Sequence, residues 1–164
     1  MFWQVAGAAP IHSGWKCRAE RGPMSMEIFV NLPVKDLSRS MDFFTKLGMS
    51  FDQRFTDEKA ACLVIDDNIY AMLLTEPFFK TFTKKEVANA NRSTEAILAL
   101  AVESRQRVDE LVDRALSVGG RPSNETDDQG FMYGRSFQDP DGHLWEVFYM
   151  DMSALPPEMQ PQNA

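Results

Sequence analysis

The chain has 164 residues, 44% apolar and 25% charged, with a formal net charge of −7. Those proportions exclude wholesale disorder, and the acidic balance speaks against nucleic acid, whose phosphates need clustered Lys and Arg. No apolar run approaches the ~20 residues of a membrane helix, and two cysteines, Cys17 and Cys62, fit a reducing, cytoplasmic setting rather than a disulfide framework.

Residues 1–25 carry Trp3, Gly7, Pro10, Gly14, Trp15, Gly22 and Pro23 without helical or strand periodicity. They read as a disordered leader or as the product of a mis-assigned start, with translation beginning at Met24 or Met26. A secretory signal is excluded, because Lys16 and Arg18 follow the apolar patch instead of preceding it. A first unit spans 26–83. Alternation over 28–34 predicts a strand; Asp36 or Ser38 then caps a helix whose Leu37, Met41, Phe44 and Leu47 recur at helical spacing until Gly48 ends it. Strands are expected at 49–54, 60–65 and 69–75. The stretch 76–94 holds a short aromatic helix (Phe78, Phe79, Phe82), expected as core, dimer interface or lid. Thr83-Lys84-Lys85-Glu86 opens the linker 84–94 with a capping-box pattern.

A second unit, 95–150, repeats the first at an offset of 68: Glu27 to Val34 falls on Glu95 to Val102, and Arg39 on Arg107. It predicts a strand at 96–102 and a helix from Ser104 with Val108, Leu111, Val112 and Ala115 inward, stopped by Gly119-Gly120. Strands at 131–137 and 144–149 flank a type I turn, Asp139-Pro140-Asp141-Gly142. Residues 151–164, with Pro156, Pro157 and Pro161, read as a loose tail.

A duplicated βαβββ unit, with Val30-Asn31-Leu32-Pro33-Val34-Lys35-Asp36-Leu37-Ser38-Arg39-Ser40 near its start and Phe137-Gln138-Asp139-Pro140-Asp141-Gly142-His143-Leu144-Trp145-Glu146 at its close, resembles the vicinal oxygen chelate superfamily. That group contains glyoxalase I, the bleomycin-resistance proteins and the extradiol dioxygenases. The resemblance covers Met26 to about Met150 and implies an α+β fold with curved mixed sheets around a concave cavity. It also implies a homodimer, since related chains build each cavity from units of two subunits.

Strand alternation places the cavity residues. If Val30, Leu32 and Val34 face the helix, then Phe29, Asn31 and Pro33 face the concave side. The same logic puts Ile97, Ala99 and Ala101 there, joined by Leu73 and, from the last strand, by Glu146 and Phe148. In metal-dependent members the resemblance places ligands at Phe29, Leu73, Ile97 and Glu146, and three of those four are hydrocarbon here. A catalytic Zn²⁺ takes about three N, O or S ligands and non-haem iron takes two His and a carboxylate, whereas this chain has two histidines. His12 lies in the leader. His143, three residues before Glu146, points to the opposite face and is expected near the surface in the turn. Cys62 reads as a buried thiol. No cofactor is therefore expected, and a divalent metal is disfavoured.

Glu146 remains as the sharpest group: a general base, a ligand-binding carboxylate, or a relic satisfied by a neighbouring Arg or by water. Asn31 suits a ligand or a backbone partner. Tyr133 and Arg135 share one strand face; if it is concave, Arg135 pairs with Glu146 or an anionic ligand, and if not, both pack on a helix or the surface. Three functions compete: a metal-free protein binding a small organic molecule between apolar walls, a lyase-, isomerase- or dioxygenase-type enzyme using Glu146 as base or as a metal ligand, and a protein folded for assembly alone.

Overall fold

A computed structural model describes residues 26–159; the expected leader, with His12 and Cys17, and the end of the expected tail lie outside them. The first half runs β1 (Ile28–Val34), α1 (Leu37–Leu47), β2 (Ser50–Asp52), β3 (Ala60–Asp66) and β4 (Ile69–Thr75), followed by the short α2 (Glu76–Phe79). Its sheet has the order β1-β4-β3-β2, with β1 parallel to β4 and the other pairs antiparallel. The second half runs β5 (Ile97–Ala101), α3 (Arg105–Ser117), β6 (Arg121–Pro122), β7 (Asp127–Asp128), β8 (Met132–Gln138) and β9 (Leu144–Met150), in the order β5-β9-β8-β6, with β7 also pairing β8. This is the duplicated α+β architecture that the repeat implies.

Local chemistry explains the two helices. The Asp36 carboxylate accepts the Arg39 N–H at 3.0 Å, satisfying one of the free donors of the first turn, and Gly48 closes α1 at a φ of 100° that costs a glycine nothing. Ser104 caps α3 in the same way through the Arg107 N–H at 3.1 Å. Leu37, Phe43, Phe44 and Leu47 form the buried stripe of α1, and Val108, Leu111, Val112 and Ala115 that of α3.

The stripes meet in one core. Leu32, Val34, Ala61, Leu63, Ala71 and Leu73 of the first sheet share a cluster with both helices and with Phe137, Trp145 and Val147 of the second sheet. Phe44 meets the Trp145 ring edge-on at 5.3 Å between centroids. Each fully buried side chain of this size contributes about 1.5–3 kcal/mol of hydrophobic stabilisation. Since both sheets turn one face to the same pair of helices, their other faces point away from each other.

The turn between β8 and β9 locks the halves together. It is the expected type I turn, with the Gly142 N–H donating to the Asp139 carbonyl at 3.0 Å. Gly142 has a φ of 97°, and a Cβ there would stand 2.9 Å from the Asn91 side-chain oxygen. The Asp139 Oδ1 accepts the N–H groups of Asp141, Gly142 and His143 at 2.9, 2.9 and 3.0 Å, and the Trp145 indole N–H reaches its other oxygen at 3.2 Å. Asp141 reaches across to the first half: its carboxylate accepts the Lys35 N–H and an Arg39 N–H, both at 3.0 Å, and the Ser40 hydroxyl at 2.7 Å.

His143 departs from its expected surface position. It is 2% exposed, with Nε2 2.8 Å from the Pro33 carbonyl and Nδ1 2.7 Å from the Glu95 carboxylate. The turn that carries it is docked on the end of β1 instead of projecting into water. Two local readings also change. β2 is three residues long and passes into a 3-10 turn at Gln53–Phe55. Thr83, instead of starting a helix, accepts the Lys85 N–H at 3.1 Å within an irregular stretch.

Candidate functional site

Strand register decides which side chains share a face. In the first sheet Phe29, Asn31 and Pro33 stand opposite Tyr70, Met72 and Leu74, and Cys62 and Ala60 stand opposite Met72 and Leu74. All of these are on the face turned away from the helices. Phe29 and Asn31 therefore occupy the side expected of them. Leu73 does not: it pairs with Leu32 and is fully buried against the helices. The residues 71–74 are all buried, because α2 folds back over the outer face and sets Phe78 and Phe79 on Ala60, Cys62, Met72 and Leu74. A strand covered on both sides shows no alternation, and Met72 takes the outward place assigned to Leu73.

The outer face of the first sheet is thus bulky and apolar. Phe29 stacks on Tyr70 with centroids 4.7 Å apart and remains 45% exposed. Cys62 is buried there, and burial, reinforced by the nearby Asp52 charge, pushes its thiol up to about 11, so it stays protonated and unreactive at neutral pH.

The second sheet presents a different surface. Ile97, Ala99 and Ala101 pair with Leu144, Glu146 and Phe148, and Ser136 and Gly134 lie across from Glu146 and Phe148 on β8. Trp145 and Val147, of opposite parity, are core residues, so Glu146, Phe148 and Ile97 point outward as expected. Glu146 stands between two small neighbours, Ala99 and Ser136, which leaves space over the sheet beside its carboxylate. It is half-buried, and no hydrogen bond or ion pair joins it to another described residue.

Tyr133 and Arg135 have the other parity and face α3. The Tyr133 hydroxyl donates to Asp109 at 2.8 Å, and Arg135 donates to Asp109 at 2.7 Å and to Asp113 at 2.8 Å. The Arg135 guanidinium holds the Asp109 carboxyl below the usual carboxylate range. These two residues belong to the helix-packing alternative. They do not share a face with Glu146, and the signal that pointed there was the i, i+4 pair Asp109 and Asp113 on α3.

A metal centre requires convergent donors. Among the described residues no three His, Cys, Asp or Glu side chains come together. The outer faces carry Glu146, Asp127, Asp52, Asn31, Ser136 and Gln138 as oxygen donors and no imidazole, and no three of the carboxylates come together, a set that does not fit a zinc or non-haem iron site. A surface depression of about 270 Å³ lies elsewhere, lined by Arg39, Asp42, Phe43, Val118, Gly119, Arg121 and Pro140.

A family model described as Glyoxalase/Bleomycin resistance protein/Dioxygenase superfamily matches residues 28–147. No curated protein matches the chain. Among solved structures, a hypothetical protein from S. aureus is 24% identical, with a TM-score of 0.65 over 77% of this chain and 95% of its own. A glyoxalase-related enzyme from Fulvimarina pelagi is 18% identical, with a TM-score of 0.67 over 86% and 99%. A genomically encoded fosfomycin resistance protein from Listeria monocytogenes is 20% identical, with a TM-score of 0.56 over 77% and 94%. At these identities the likeness is one of fold. No helix among the described residues is long and apolar enough to cross a membrane.

Proposed function

The chain belongs to the Glyoxalase/Bleomycin resistance protein/Dioxygenase superfamily, and on that premise we propose that it binds a small organic molecule, without the usual metal, in an apolar cavity completed by two copies of the chain. One observation carries the reading: the two outward faces are complementary but point away from a common core. One supplies aromatic bulk through Phe29 and Tyr70; the other supplies a lone carboxylate over a floor of Ala99, Gly134 and Ser136. Each therefore needs the other face from a second molecule.

The apolar residues left in water support the same conclusion. Ile28, Phe29, Ile69 and Ile97 are 40–54% exposed, and β1 and β5 each pair on one side only among the described residues. Open edges beside exposed apolar groups favour association with another copy.

The test is complementation. Phe29→Lys spoils the first face, where that ring is exposed, and Ala99→Trp fills the second. In a dimer, each variant alone loses binding of the apolar fluorophore N-phenyl-1-naphthylamine, while a mixture of the two, unfolded and refolded together, regains part of the wild-type signal through hybrid dimers holding one intact cavity. No recovery, or a monomer by light scattering, overturns the composite cavity.

The unbonded Glu146 favours a second reading, a general base in a lyase- or isomerase-type reaction. Removing a proton beside a carbonyl requires stabilisation of the enolate. With Tyr133 and Arg135 on the helix side, Asn31, Ser136 and Gln138 are the polar groups left for that role, which makes binding the better-supported function. Glu146→Gln separates the two, since it abolishes proton exchange in an enzyme and leaves an apolar ligand bound.

A further inference from the structure

We propose that the molecule held at this site is an organic cation, an amine, amidine or guanidine carried on an apolar body, with Glu146 as its counter-charge. The proposal rests on reading the outer face of the second sheet as the ligand face. It follows from a census of charge on the surfaces concerned.

Glu146 is half-buried between Ala99 and Ser136 and has no hydrogen bond or ion pair among the described residues. Asp127 lies on the same face, because it pairs with Gly134, and is joined to the Gln129 amide at 2.9 Å. Three arginines of this half have partners of their own. Arg135 is bound to Asp109 and Asp113 on the helix side, and Arg105 is bound to Asp128 and lies over the Tyr133 ring. Arg121 pairs with Gln138 and so stands on this face too, but at the far end of β8, where it donates to the Asn91 oxygen at 2.6 Å. On the first sheet's outer face Phe29, Asn31, Tyr70 and Met72 are uncharged, and Asp52 at its distant edge is paired with Arg54.

Closing an apolar wall over Glu146 strips water from a carboxylate without a partner among the described residues, a costly step unless the ligand supplies one. An anion would meet repulsion from Glu146 and Asp127. A neutral body would leave Glu146 desolvated and unpaired. A cation offsets the loss through a charge-assisted hydrogen bond, and the stacked rings of Phe29 and Tyr70 offer the negative faces that attract organic cations.

Three compounds with one body test this: 4-phenylbutylamine, 4-phenylbutanol and 4-phenylbutyrate, titrated at neutral pH into the full-length protein against N-phenyl-1-naphthylamine. The amine is expected to bind about tenfold more tightly than the alcohol, the worth of one such bond, with the butyrate weakest and the gap narrowing as salt rises. Glu146→Gln brings amine and alcohol together, because the amine loses its counter-charge and the alcohol no longer strips water from an unpaired carboxylate. Glu146→Ala, which removes the charge without filling the floor over Ala99, closes the same gap between amine and alcohol if the glutamine variant fails to fold. Equal binding of amine and alcohol by the wild type, or preference for the butyrate, overturns the cation assignment while the cavity stands. Failure of all three compounds and of the fluorophore overturns both.

Discussion

Replacing Asp141 by alanine removes the acceptor on which the two halves converge. The Lys35 N–H and the Ser40 hydroxyl each lose a bond to a buried carboxylate, at about 1.5–3 kcal/mol apiece. Arg39, whose side chain is 49% exposed, adds at most about 1 kcal/mol after solvent screening. Ser40 keeps the Asp36 carbonyl at 3.0 Å as an alternative acceptor, which places the total toward the lower end, about 3–4 kcal/mol. For a chain of this length that lowers the melting temperature by roughly 10 °C. Urea unfolding of Asp141→Ala, Ser40→Ala and the double variant measures the total and the pairwise coupling, expected to be about 1–2 kcal/mol. A total loss below about 1 kcal/mol, or strict additivity, would show that this turn is not what joins the halves.

The remaining predictions concern three other buried positions and the exposed Phe29. His143 lies between two acceptors, the Pro33 carbonyl and the Glu95 carboxylate, so a proton on each ring nitrogen is required to bond both. Burial opposes that charge, but Asp139, the Pro33 carbonyl and Glu95 outweigh it and raise the imidazole above its ordinary value. Its contribution to stability is therefore full below the unfolded value near 6.5 and is lost as pH rises through the raised folded value; His143→Gln should flatten that decline, and parallel stability–pH curves for variant and wild type would contradict it. Leu73→Ala should cost about 2–5 kcal/mol in thermal unfolding, whereas Phe29→Ala should weaken ligand binding more than it weakens the protomer. With Cys17 replaced by serine, Cys62 should react with a thiol reagent at pH 8 only as fast as the protein unfolds; immediate labelling would place it outside the core.

The helices were legible in the sequence because their cues are local: Asp36 and Ser104 as caps, Gly48 as stop, and a stripe at 3.6-residue spacing on each. Glu146 was legible because Trp145 and Val147 are large and apolar while Glu146 is neither, so β9 alternates cleanly. Leu73 was not, since Ala71, Met72, Leu73 and Leu74 are apolar on both faces and α2 covers the outer one. Tyr133 and Arg135 were left open because an amphipathic side chain suits either side of a strand; Asp109 and Asp113, some two dozen residues away, settle it. The environment of His143 depends on Pro33, 110 positions distant, and no local pattern encodes a contact of that span.

That span bears on the order in which the protein is made. Lys35 and Asp141 are 106 positions apart, which at about 5–20 residues per second is roughly 5–20 s of translation. Throughout that interval the ribosome displays a nascent β1–α1 corner whose amide at Lys35 awaits its acceptor, while the Ser40 hydroxyl has the local Asp36 carbonyl. The first half must therefore persist as a provisional structure, open to chaperones, until the final hairpin emerges and seals it.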